Sequence, residues 1–197
     1  MIVLPTDLDS GVRILGVDPG TRRLGVATLT VEAKSLSILD VEAFTIKSTP
    51  EEEAEYSDIH QDRKLRILYG QQRRFMEVLA TRNPHVVCIE APFYNPKRPG
   101  AFGPLAEVVS ALKLAIMDYN IDLTIKVYPP DIIKKEMSCH RGRDYTIDPK
   151  VLIRSKIDSI NEIIEVADPP KLFWDQHSYD AIAVGYTYVQ QSRRSKL

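Results

Sequence analysis

The chain has 197 residues, 44% hydrophobic and 27% charged, with a formal net charge of −1. This fits one soluble globular domain of generous size, and no apolar run approaches the ~20 residues of a membrane span. The opening MIVLPTDLDSG lacks the basic-then-apolar order of a secretory signal.

Two cysteines, Cys88 and Cys139, are too few for a disulfide framework and point to a reducing interior. The near-zero total charge says little about partners. Basic residues cluster at Arg22/Arg23, Arg63–Arg66, Arg73/Arg74, Lys97/Arg98, Lys134/Lys135, Arg141/Arg143 and Arg193–Lys196, and acids cluster at Glu51–Glu55. A phosphate backbone responds to the local field along its path, not to the sum.

The first predicted element lies within Val12–Thr21, VRILGVDPGT. Val12, Ile14, Leu15 and Val17 read as a buried strand. Asp18 ends it, just before a Pro19-Gly20 turn. A carboxylate buried there needs a cation or a donor to satisfy it. Asp-Pro-Gly is also an ordinary turn signature, so site residue and turn cap both stand at this point.

Arg23–Val31 and Leu36–Ile46 read as two further strands, with Gly25 permitting a tight turn and Lys34-Ser35 forming another. Three strands on short links predict an antiparallel meander. Residues 48–57 read as an exposed acidic loop or the frayed start of a helix. Asp58–Thr81 carries Ile59, Leu65, Leu68, Phe75, Val78 and Leu79 at helical spacing and is stopped by Asn83-Pro84. His85–Glu90 is a buried strand that also ends on a carboxylate. A Pro/Gly-rich loop follows over Ala91–Gly103.

Leu105–Tyr119 reads as an apolar helix and Leu123–Tyr128 as a fifth strand ended by Pro129-Pro130. A short helix spans Asp131–Met137. After a polar loop, Pro149 opens a helix to about Ile160. Asp175–Gln191 is the last helix, with Ala181, Ile182, Val184 and Val189 facing inward and a basic tail over about 192–197. The order predicts one α/β domain: a mixed five-stranded sheet, part meander and part parallel, with helices on both faces.

Asp18 and Glu90 end strands that a crossover helix should make parallel neighbours. His177 and Asp180 lie one turn apart on one helix face. Converging carboxylates raise one another's pKa, and hard divalent cations relieve that repulsion. Two such ions roughly 4 Å apart suit phosphodiester displacement. Isolated acids at strand ends are as commonly solvated, so the residues alone leave both readings open.

ILGVDPGTRRLGVA closely resembles the opening motif of RuvC-type Holliday-junction resolvases, members of the RNase H-like nucleases. VVCIEAPFY resembles their second acidic motif, YPPDIIKK their Tyr-Pro segment with a basic helix, and HSYDAIAVGYTY their final motif. These four matches span nearly the whole chain in the family's order. The resemblance implies an RNase H-like fold and a magnesium-dependent endonuclease that resolves four-way DNA junctions by paired nicks. It implies two Mg2+ per site, replaceable by Mn2+, with Asp18, Glu90 and Asp180 as metal ligands. His177 falls where the family often has Asp, and ligates metal or passes a proton. Asp175 reads first as a helix cap.

By the same resemblance, Lys134, Lys135 and Lys150 lie near the scissile phosphate, with Arg141 and Arg143 adding charge from a loop longer than the family's. Phe93 and Tyr94 match aromatics that stack on unpaired bases, although aromatics after a strand are commonly core. Leu105–Tyr119 is apolar on more than one face, and a homodimer would suit the two-fold symmetry of a junction. The implied setting is intracellular, in a bacterium or a virus-infected cell.

Asp-x-Gly-Thr near a first strand also occurs in actin-like and sugar-kinase ATP-binding domains. Such folds need two domains around the nucleotide, more than 197 residues provide, and no second Gly-rich phosphate segment follows. A nuclease for other branched DNA or RNA–DNA hybrids is a nearer alternative. The retained acids argue against an inactive DNA-binding module.

Overall fold

The computed structural model describes residues 11–55, 62–94, 96–97, 99–139, 148–167 and 171–195. Five strands form one sheet: β1 (Val12–Asp18), β2 (Arg23–Val31), β3 (Ile38–Lys47), β4 (Val86–Glu90) and β5 (Thr124–Tyr128), in the order β3-β2-β1-β4-β5. β1, β2 and β3 pair antiparallel as the expected meander, and β4 runs parallel to both β1 and β5. The helices are α1 (Pro50–Glu55), α2 (Arg63–Arg82), α3 (Phe102–Tyr119), α4 (Pro130–Glu136), α5 (Pro149–Asp158), α6 (Asn161–Ile164) and α7 (Gln176–Ser195). This is the mixed sheet that the element order predicts.

Side-chain parity along β1 divides the core. Val12 and Ile14 join a cluster with Val86, Cys88, Ala181, Ile182 and Val189, on the side of α4 to α7. Leu15 and Val17 join a second cluster with Phe75, Leu79, Val87, Ile89, Leu112 and Ile116, on the side of α2 and α3. Strand residues alternate faces. Asp18 therefore shares the α7 face with Ile14, and Glu90 shares it with Val86 and Cys88. Both acids look toward the last helix.

Two glycines let α7 lie unusually close to the sheet. A Cβ on Gly16 would stand 2.2 Å from the Ala181 carbonyl oxygen, and one on Gly25 would stand 2.1 Å from that of His177. Gly25 is thus not the turn residue that the sequence suggests. It pairs with Asp18 inside the β1–β2 ladder and makes room for the start of α7.

Other boundaries shift for local reasons. Residues 50–55 form a helix, the second of the two readings for that acidic stretch. In α2 the inward stripe runs through Ile67, Gln71, Phe75 and Val78, whereas Leu65 is exposed; Ile59 lies outside the described residues. α5 stops at Asp158, close to the expected end near Ile160, and α6 follows in a stretch to which the sequence reading assigned no element.

The described part of the basic end, through Ser195, is not a free tail, and Lys196 and Leu197 lie outside the described residues. α7 continues to Ser195, where the Arg193 guanidinium donates to both Glu162 carboxylate oxygens, at 2.9 and 2.8 Å, and to the Leu36 carbonyl at 2.7 Å. The Arg193 pairing, against the opposing effect of burial, also holds the Glu162 carboxyl below its usual range. Arg194 pairs with Glu136 at 2.7 Å. These partners lie in distant segments, so the terminal composition gave no sign of them.

A further correction concerns α3. The stretch Pro99–Tyr119, 21 residues long, is apolar enough by composition to cross a bilayer, contrary to the sequence expectation. Val108, Val109, Leu112, Ala115 and Ile116 form its sheet-facing side and belong to the core. Its other side exposes Leu114 and Met117.

Candidate active site

β1 and β4 are adjacent and in register through Val17 opposite Ile89, so Asp18 and Glu90 emerge side by side at one edge of the sheet. α7 crosses the same edge and adds His177 and Asp180 from its first turns. Asp18, Glu90 and Asp180 line one cleft of about 280 Å³, together with Lys134, Lys150 and Phe93. Local chemistry sets up each contributor. Both acids follow runs of fully buried aliphatic residues, and Pro129-Pro130 and Pro149 start the helices that carry the two lysines.

The acids are tightly tied. Asp18 is nearly buried, and its Oδ2 accepts a hydrogen bond from His177 Nδ1 at 2.7 Å. That bond, opposed by partial burial, raises the His177 pKa above its ordinary value. Burial pushes Glu90 up to about 8. The charges of Asp18 and Asp180 push the same way, as does a carboxyl–carboxyl hydrogen bond with Asp18, and Lys134 pulls back. Burial, then Asp18, lifts Asp180 to about 6, against Lys150 and Gln176. Asp180 accepts from Gln176 Nε2 at 3.0 Å and lies 3.5 Å from Lys150 Nζ.

These ties engage the oxygens with protein partners. Among the described residues no three acid, imidazole or thiol groups stand at the mutual spacing of a formed metal-ligand set.

Asp175 has the capping role preferred for it. Its Oδ1 accepts from the Ser178 N–H at 3.0 Å and from Thr45 Oγ1 at 2.5 Å. Burial opposes ionisation of this carboxyl, but the bonds from Thr45 and Ser178 prevail and hold its pKa below the usual value. Asp175 thereby locks the start of α7 to β3.

Of the other residues singled out in the sequence, Lys134 and Lys150 border the acids, whereas Lys135, adjacent in sequence, is exposed and outside the cleft. One residue along a short helix turns the side chain about 100° away. Arg141 and Arg143 lie outside the described residues. Phe93 and Tyr94 are not core: they are 50% and 61% exposed. Phe93 borders the cleft, and Tyr94 stands edge-on to Phe102, with ring centroids 6.4 Å apart.

Sequence reasoning missed three contributors. Phe102 falls in a stretch read as loop, although it opens α3. Gln176 contacts Asp180 one turn on, a spacing that could have been read once α7 was placed. Asp148 borders the cleft and caps α5 by accepting from the Lys150 N–H at 2.9 Å. An Asp directly before an N1 proline is a visible signal for that cap.

Comparison with known proteins gives a consistent picture. A crossover junction endodeoxyribonuclease RuvC from Thermotoga petrophila is 26% identical over 186 residues, covering 94% of this chain and 97% of its own length. Thermus thermophilus RuvC shares the fold with a TM-score of 0.62 at 21% identity, over 93% of this chain and 97% of that one. The yeast mitochondrial Holliday junction resolvase Ydc2 does so with a TM-score of 0.58 at 14% identity, over 94% and 82%. The family model for crossover junction endodeoxyribonuclease RuvC matches residues 14–144, from the strand that bears Asp18 to beyond the helix that bears Lys134. With that match over more than half its length, the chain belongs to the RuvC family.

Proposed function

We propose that this chain is a structure-selective endodeoxyribonuclease that resolves four-way DNA junctions by magnesium-dependent hydrolysis of one phosphodiester in each of two related strands. The observation that carries this reading is the convergence of Asp18, Glu90 and Asp180 from β1, β4 and α7 on one cleft with Lys134 and Lys150 at its border. Family membership points to the same chemistry.

The donor set fits a hard divalent cation. Three carboxylates line the cleft, and burial, with the charges of Asp18 and Asp180 behind it, keeps a proton on Glu90 up to about pH 8. A cation would relieve that strain through oxygen ligands. Asp18, Glu90 and Asp180 would hold it, with His177 available as a nitrogen ligand, and Mn2+ would substitute for Mg2+. Two such ions, when bound, supply an activated water and neutralise charge on the departing 3′ oxygen.

The remaining roles belong to the protein's own side chains. Lys134 and Lys150 offset the acids and draw the scissile phosphate into the cleft. His177 Nδ1 is held by Asp18, so proton exchange falls to Nε2. Phe93 and Tyr94, exposed beside the cleft, offer faces for unpaired bases at the crossover, each worth about 1–3 kcal/mol. The outer apolar side of α3, with Leu114 and Met117, is the surface on which a second copy would pack, placing two clefts about a two-fold axis. A DNA substrate and two free, buried cysteines suit an intracellular setting.

The test is cleavage of a synthetic four-way junction with Mg2+, beside a linear duplex, a splayed arm and an RNA–DNA hybrid. The junction alone should be nicked, on two opposed strands. Asp18→Asn should cut roughly 100- to 1,000-fold more slowly, the scale of losing an electrostatic group at the reacting centre, and still bind the junction. Equal cutting of all four substrates, or wild-type rates from Asp18→Asn, would refute the proposal.

A further inference from the structure

Gln71 is the residue of α2 that its surroundings do not explain. It lies in the inward stripe between Ile67 and Phe75, is 1% exposed, and occupies a position where an aliphatic side chain would serve the core. Its Nε2 donates to the Gly20 carbonyl at 3.2 Å, while its Oε1 is buried with no hydrogen-bond partner among the described residues. A buried unpaired acceptor opposes folding, and an apolar side chain of the same shape would avoid it. Packing and stability therefore give no reason for an amide here.

The bond to Gly20 does. Gly20 lies two residues beyond Asp18, in the connection from β1 to β2. That connection is folded tightly, since a Cβ on Gly20 would stand 2.3 Å from the Arg23 carbonyl oxygen. Asp18 is held from the α7 face through His177. The turn after it is held from the α2 face through Gln71, so the two faces of the sheet together fix where the β1 carboxylate stands. The amide orientation is fixed as well, because the flipped amide would set Oε1 against the Gly20 carbonyl.

We infer that Gln71 is a positioning residue for the acidic centre, holding the Asp18 turn from the opposite face of the sheet so that Asp18 is set for divalent-cation binding. The inference rests on the metal role proposed for Asp18. Outer partners that orient ligands typically change metal affinity 10–100-fold. Because Gln71 acts through the backbone, the lower end, about tenfold, is expected.

The test is Gln71→Met, which keeps length and volume and removes both polar atoms. Mn2+ binding to the full-length chain is measured by calorimetry, together with the melting temperature without metal and junction binding without metal. The expected result is Mn2+ affinity about tenfold weaker, junction binding unchanged, and a melting temperature equal to or above that of wild type. A positioning role and a structural role move these readouts in opposite directions. Wild-type Mn2+ affinity in Gln71→Met overturns the inference, as does a lowered melting temperature or failure to fold. If the wild-type chain itself binds no Mn2+, the metal reading fails and this inference fails with it.

Discussion

Replacing Glu90 with Gln should stabilise the metal-free protein, and only at higher pH. In the folded chain burial, with Asp18 and Asp180, lifts the Glu90 carboxyl from its ordinary 4.5 to about 8. A carboxyl whose folded pKa is raised supports folding below its unfolded pKa, and that support is lost as pH climbs from about 4.5 to about 8. At about 1.4 kcal/mol per pH unit the whole shift corresponds to about 5 kcal/mol. Glu90 interacts strongly with the neighbouring acids, so only part of that shift, on the order of 2 kcal/mol, belongs to Glu90 alone.

Gln cannot ionise, and it keeps an N–H to donate to Asp18. For a chain of this size about 2 kcal/mol is a rise of roughly 4–8 °C in melting temperature. Thermal unfolding in a chelator should show that rise at pH 8.5 and almost none at pH 5. Added Mg2+ should then stabilise the wild type more than Glu90→Gln, because ligands that bind only the folded state raise its stability. A constant difference between the two proteins across pH would refute the reasoning, since it would show that Glu90 titrates normally.

Two further outcomes are expected. Lys134→Ala with Lys150→Ala should weaken junction binding and lower the slope of log affinity against log salt by about 2, measured by fluorescence anisotropy, whereas Lys135→Ala alone should leave the slope nearly unchanged. Phe93→Ala and Tyr94→Ala should each reduce unstacking at the crossover, read from 2-aminopurine fluorescence in the junction, with a loss of about 1–3 kcal/mol per stacked base.

The sequence was most informative where each segment carries its own signal. Aliphatic runs that end on Asp18 and Glu90, the i, i+3 spacing of His177 and Asp180, and the prolines before α4, α5 and β4 all act within a few residues. They made the strands, most helices and the acidic set legible. The same locality explains the failures: Gly25 looks like a turn residue until α7 is seen to press on it, and the Arg193 region looks like a tail until Glu162 and Leu36 are found beside it.

By itself the sequence determined which residues could carry charge into an apolar setting and which segments would fold as strands or helices, because those properties depend on period and burial within one element. Tertiary structure decided which of them meet. It directed both acids toward the α7 face, chose Lys134 over Lys135, set Gln176 against Asp180, and tied Gln71 to the turn after Asp18 from the other face of the sheet. The pairings of Asp18 with His177 and of Gln71 with Gly20 span 159 and 51 residues of chain. No local pattern encodes a contact at that separation, which arises only when the two faces of the sheet are packed.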